Sequence, residues 1–163
     1  MNRRTELLQA MPVFGGVREE TLDFLLGLSS SVERAPGEFF FHEDDDAQSM
    51  FVLEVGRAAV VKSRDGQQYL LSHLDRGDCF GEMSLMDLRH RSVSVVAVDR
   101  CQAIELSGAS LYALSQRDLE QFTVIQMNIG REVSRRLRDA DERLFQAKVL
   151  SADFVAEYVF RST

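Results

Sequence analysis

Gly81-Glu82-Met83-Ser84-Leu85-Met86-Asp87-Leu88-Arg89-His90-Arg91-Ser92 is the stretch that decides how this chain is read. Phe80 precedes it and Val93 follows it. A glycine lets the backbone approach a ligand closely. The residues after it can open a short helical turn whose unpaired N–H groups favour an anion. Glu82 offers an acceptor-only carboxylate, which suits a hydroxyl. Arg91 offers a fixed cation with a fork of donors, which suits a phosphate. An acceptor for a hydroxyl and a cation for a phosphate, facing one small cradle, describe a site for a ribose phosphate. Such a phosphate about 4 Å from a guanidinium gains roughly 4 kcal/mol at a surface-like dielectric. Either residue alone is equally well read as an ordinary surface charge; the weight lies in their spacing.

Outward from this stretch, short strand-like segments recur between Gly, Asp and Pro turns from Ser31 to Leu106, the texture of an all-β sandwich or barrel. The strands predicted are 39–41, 51–55, 58–62, 69–74, 92–98 and 102–106. Arg64-Asp65-Gly66-Gln67 is the clearest hairpin signal. The flanks are helical. Thr5 to Met11 opens a short helix stopped by Pro12 and the Gly15-Gly16 pair, and Val17 to Leu28 is amphipathic with acids at its front. Ser110 to Gln116 is a short helix. Leu119 to Leu150 carries no Pro and only Gly130, and predicts one helix extending about 45 Å. Along it Ile129, Val133, Leu137, Ala140, Leu144 and Ala147 recur in steps of 4 and 3, the seam of a two-stranded coiled coil. A homodimer through residues 118–150 is therefore expected, against the plainer reading of a helix packed on its own barrel. The organisation expected is 1–117, 118–150 and a short apolar tail, 151–163.

The chain has 163 residues and a net charge of −7. Residues 1–117 hold 18 acids and 12 bases, and the remainder 8 acids and 7 bases, so neither part has the basic footprint of a nucleic-acid surface. Cys79 and Cys101 are too few for a disulfide scaffold or a zinc site, and both stand in apolar runs where cysteine acts as a small hydrophobe. His42, His73 and His90 are isolated from one another, which speaks against the paired histidines of a metal-dependent β-barrel enzyme. No phosphate-binding P-loop or nucleophile elbow is present, so no catalytic residue, metal or cofactor is expected. No apolar run reaches bilayer-spanning length. The expectation is a cytoplasmic protein without a membrane segment.

The 81–92 segment resembles the phosphate-binding cassette of the cyclic-nucleotide-binding domain family, which includes catabolite-activator and protein kinase A regulatory-subunit types. Pro36-Gly37-Glu38, Glu43-Asp44-Asp45, Val55-Gly56-Arg57-Ala58, Asp65-Gly66 and Gly77-Asp78 stand where that family has its turns, so the resemblance runs from about Leu7 to Leu144. It implies a mainly β fold with flanking helices: a double-stranded β-helix, or jelly roll, followed by a long C-terminal helix. It implies that Glu82 takes the ribose 2′-hydroxyl and Arg91 the cyclic phosphate. Gly81, Met83 and Ser84 would contribute backbone, Ser92 a hydroxyl, and Phe80, Val60 and Leu71 would face the pocket.

Three positions depart from the family pattern. Leu88 stands where many members have glycine, and Val93 where alanine is usual. Catabolite activators read adenine with a Thr-Ser pair after an Arg-Arg-Leu run. Here Arg135-Arg136-Leu137 is followed by Ala140-Asp141. Asp141 can accept from the amine of adenine or the paired donors of guanine, or stand as a solvated acid. The function implied is a regulatory sensor of cAMP or cGMP, signalling through the long helix to an unidentified protein partner. The alternative is a domain of the same fold that binds no nucleotide and serves as a dimerisation and docking module. The 13 residues after the helix are too few for a helix-turn-helix unit, so direct DNA binding is not expected.

Overall fold

The computed structural model describes residues 2–151. The tail expected at 151–163 lies, apart from Ser151, outside the described residues. Among the described residues, eight strands form two antiparallel four-stranded sheets. They are β1 Ser30–Arg34, β2 Phe39–Phe41, β3 Ser49–Val55, β4 Ala58–Arg64, β5 Gln67–Leu74, β6 Cys79–Phe80, β7 Ser94–Ala97 and β8 Cys101–Ser107. One sheet runs β1-β8-β3-β6 and the other β2-β7-β4-β5. Successive strands thus alternate between the sheets except at the β4–β5 hairpin, which stays within one sheet. Helices α1 Arg3–Gln9, α2 Glu19–Gly27, α3 Glu82–Asp87, α4 Gly108–Arg117 and α5 Leu119–Leu150 flank them.

The strands form where side-chain alternation gives each sheet an apolar inner face. That face gathers Phe40, Phe41, Phe51, Leu53, Phe80, Val95 and Ala103 into one core. The Phe51 and Phe80 rings stack at 5.2 Å, and Phe40 meets Phe80 edge-on at 5.1 Å. The 64–67 hairpin is as expected, with φ of 51° at Asp65 and 77° at Gly66, the left-handed pair of a type I′ turn. Two strands went unread in the sequence. In β1, Ser30-Ser31-Val32-Glu33-Arg34 is a largely exposed edge strand without an apolar period; β6 has two residues, too few to show one.

Two compact units divide the chain between Ile129 and Gly130. The reason is chemical. Within the first unit, the Asn128 amide donates to the Val13 and Gly15 carbonyls, the Gln121 amide accepts from the Arg18 backbone N–H, and Ile125 and Ile129 are buried. In the second unit, Arg135 pairs with Glu132 one turn away, at 2.7 Å. Here the apolar stripe of α5 lies open: Leu137, Ala140, Leu144 and Ala147 are exposed. Among the described residues no helix is long and apolar enough to cross a membrane.

Asp118 starts α5. Its carboxylate accepts from the Gln121 backbone N–H and pairs with Arg18. The hydrogen bond to Gln121 leads in holding this carboxyl below its ordinary value, with Arg18 acting in the same direction. A depressed folded-state pKa stabilises the fold above the unfolded value, about 3.9, and that contribution fades as pH falls through the folded value. We expect Asp118→Asn to melt earlier than the wild type at pH 7 and the gap to narrow at about pH 3. Thermal melts at both pH values read this directly, and a gap undiminished in acid would deny the carboxylate its capping role.

Candidate functional site

The cradle is built where β6 ends. Gly81 adopts φ 80°, ψ 2°, a left-handed turn that throws the chain from β6 into α3. A Cβ at this position would lie 2.5 Å from Arg91 Nη1. Gly81 is therefore required twice, for its conformation and for the space it leaves to the arginine. Glu82 follows as the first residue of α3 and is 1% exposed. A carboxylate suits the first turn of a helix, where the backbone N–H groups point outward.

Arg91 enters from the other side of the loop and turns inward, with 4% exposure. Its Nη1 donates to the Gly81 carbonyl at 2.9 Å and its Nη2 to the Ser49 carbonyl at 2.7 Å. The guanidinium lies 4.1 Å from the centroid of the Phe41 ring and 5.8 Å from that of Phe51. Two of its five N–H donors are thus spent on backbone, while Nε is buried with no hydrogen-bond partner. A buried donor left open is rare and calls for an acceptor from outside. Burial pulls the Arg91 pKa below its usual value, and the negative charges of Glu105, Asp45 and Glu82 pull it back, in that order. The Arg91 backbone is clamped as well: its N–H donates to the Asp45 carbonyl at 2.9 Å and its carbonyl accepts from the Asp44 N–H at 2.8 Å. The acidic turn at 43–46 is thus a structural partner of the cassette.

The other expected residues divide. Phe80 is buried in the core, and Val60 and Val93 are half-buried against the same cluster. The added methyls of Val93 therefore have the core to pack on. Ser84 is buried and Met83 exposed. Leu88 takes φ 56°, ψ 32°, the left-handed conformation that glycine adopts with ease, so the loop keeps that backbone shape with leucine in place. Ser92 is exposed, and its carbonyl accepts from Lys62 Nζ at 3.1 Å. Leu71 is 47% exposed on the edge strand β5. Asp141 is exposed within the second unit. Thus Gly81 and Arg91 are in contact, Phe80 and Glu82 are buried, and Ser92 and Leu71 are exposed.

Sequence reasoning passed over Phe41, Ser49, Asp45 and Glu105. Phe41 was visible only as a strand residue, and Ser49 lay before the strand expected at 51–55, which begins at Ser49 in the fold. Glu105 carried a signal, since it continues the inward period of Cys101 and Ala103 with an acid. Cys79 and Cys101 are buried and form no disulfide, and burial, aided by Asp99, pushes the Cys101 thiol up. Among the described residues, no group of three or more His, Cys, Asp or Glu is placed to hold a metal ion.

Comparison with known proteins gives the following. The sequence profile of the cyclic nucleotide-binding domain matches residues 31–118. The cyclic AMP receptor protein of Thermus thermophilus is 30% identical over 138 residues, 84% of this chain and 62% of that protein. The cAMP-dependent protein kinase regulatory subunit of Hypocrea atroviridis is 41% identical over 63 residues, 39% of this chain and 13% of that one. Among solved structures, Thermus thermophilus catabolite activator protein superposes with a TM-score of 0.73 at 30% identity, covering 84% of this chain and 63% of its own. A cyclic nucleotide-binding domain from Methylobacillus flagellatus shares the fold, with a TM-score of 0.78 at 19% identity over 96% of this chain and 85% of its own. The chain therefore spans less than two thirds of the Thermus relative.

The contact at Gly81 can be tested without any ligand. Gly81→Ala forces a side chain into a left-handed residue and against Arg91 Nη1, at a cost of about 1–3 kcal/mol. Urea unfolding should show that loss. A variant within a few tenths of a kcal/mol of wild type would mean that Arg91 does not pack against this turn.

Proposed function

The chain belongs to the cyclic nucleotide-binding domain family, and from that premise we propose that it is a regulatory sensor that takes a cyclic purine nucleotide in the 81–93 cradle. The observation that carries the proposal is the inward, buried Arg91 whose Nε lacks an acceptor, set across the Gly81 turn from the buried Glu82. The cyclic phosphate would bring a charge-assisted acceptor to Nε, and the ribose 2′-hydroxyl would donate to the Glu82 carboxylate. cAMP is favoured over cGMP because the proteins of similar sequence are named for cAMP. The role is regulation without catalysis, as the names of the same relatives suggest. Leu88 and Val93 favour the non-binding alternative in sequence only; the backbone at Leu88 and the half-buried place of Val93 are compatible with an open cradle.

A sensor needs an output. A ligand shifts a two-state equilibrium only by its difference in affinity for the two states. The element proposed to carry the signal is α5, and its exposed stripe at Leu137, Ala140, Leu144 and Ala147 is proposed to pair with the same stripe of a second copy.

Calorimetric titration with cAMP and then cGMP tests the ligand. Arg91→Lys keeps the charge and loses the fork, and should weaken binding on the order of tenfold to a hundredfold. Wild type should prefer cAMP over its 2′-deoxy analogue by about tenfold, and Glu82→Gln should erase most of that preference. Wild-type affinity in Arg91→Lys, or an undiminished preference in Glu82→Gln, would sink the site. The output is tested by sedimentation. Leu137→Arg combined with Leu144→Arg should convert a dimer at micromolar concentration to a monomer, and an unchanged sedimentation coefficient would reject the pairing.

A further inference from the structure

The strand that floors the cradle holds an acid where its own pattern calls for an apolar residue. In β8, Ile104 and Leu106 are fully buried on one face. Cys101 and Ala103 point the other way, into the core that holds the phenylalanines. Glu105 continues this inward row and stands opposite Phe51 of β3. A carboxylate there needs partners, and it has one: the Ser49 hydroxyl donates to Glu105 Oε1 at 2.7 Å. The same Ser49 accepts Arg91 Nη2 on its carbonyl at 2.7 Å. One buried serine therefore ties the acid to the guanidinium.

We propose that Glu105, acting through Ser49, is a positioning counter-ion that holds Arg91 inward in the free protein and competes with an arriving phosphate. The proposal rests on the reading that Arg91 takes a phosphate. A cation as buried as Arg91 is costly without an opposite charge nearby. Glu105 leads the charges that offset the burial of Arg91, ahead of Asp45 and Glu82. When a phosphate reaches the guanidinium, the cation is neutralised a second time, and Glu105 then faces another anion across it. Like charges so placed repel. The acid thus stabilises the empty cradle and weakens the filled one. In this way it sets the concentration at which a ligand takes the site.

Glu105→Gln tests this with little change of shape, because the amide oxygen can still accept from Ser49. The full chain is melted without ligand and titrated with cAMP by calorimetry. The expected result is opposite in sign for the two readouts. The ligand-free melting temperature falls by about 2–8 °C, while cAMP binds about threefold to tenfold more tightly. In an Arg91→Met background, where no cation remains to be balanced, the same substitution should no longer lower the melting temperature. Unchanged or weaker cAMP binding in Glu105→Gln overturns the competition. A melting loss that persists in full in Arg91→Met overturns the pairing and makes Glu105 a packing residue only. Failure of the wild type to take up either cAMP or cGMP overturns the phosphate reading, and the competition with it. The melting cycle needs no ligand, so it judges the Glu105–Arg91 coupling in either case.

Discussion

A buried guanidinium is the constraint to which the rest of this molecule answers. Arg91 sits in the interior of a β-sandwich, at 4% exposure, against the faces of Phe41 and Phe51. No side chain is harder to keep there: it cannot shed its proton to escape the desolvation cost. Each surrounding element can be understood as meeting part of that cost. Backbone carbonyls of Gly81 and Ser49 take two donors, an aromatic face takes the cation, and Glu105, Asp45 and Glu82 supply opposite charge. The donor that stays open, Nε, is where an external anion has most to offer.

The fold makes this arrangement by bringing distant parts of the chain to one place. Ser49 comes from the start of β3, Glu105 from β8, Gly81 from the end of β6, and Arg91 from the loop before β7. β3 and β6 pair in one sheet, while β7 pairs with β2 and β4 in the other. The cradle therefore spans the two sheets at one end of their shared core. The acidic turn at 43–46 closes the other side by exchanging backbone hydrogen bonds with Arg91. Because Gly81 leaves no room for a side chain against Nη1, the turn and the arginine fix one another's place. Preorganisation of this kind reduces the ordering cost a ligand would otherwise meet.

The second unit follows a different logic. Here the apolar stripe of α5 is exposed at Leu137 and Leu144. In the first unit the same helix is committed: Gln121, Ile125, Asn128 and Ile129 are buried. A single helix thus has buried residues in its first part and an exposed apolar stripe in its second.

Local chemistry was enough to read several elements from the sequence. The absence of proline over 119–150 and the steps of 3 and 4 fixed α5 at Leu119–Leu150, because helical period is a property of the chain itself. Asp65-Gly66 declared its hairpin because those residues tolerate positive φ. Gly81, Glu82 and Arg91 suggested a cradle by their types and spacing, although each charge alone also reads as an ordinary surface group. What the sequence left unread depended on partners far along the chain. β1 and β6 exist as strands only because β8 and β3 pair with them. The start of α5 belongs to the first unit because Asn128 reaches Val13 and Gly15, more than a hundred residues earlier. Glu105 and Ser49 joined the cradle only when β3 and β8 lay side by side. Sequence alone determined which groups could meet an anion, since charge and donor geometry belong to the residue; tertiary structure decided which of them are buried together, because burial is set by every strand at once.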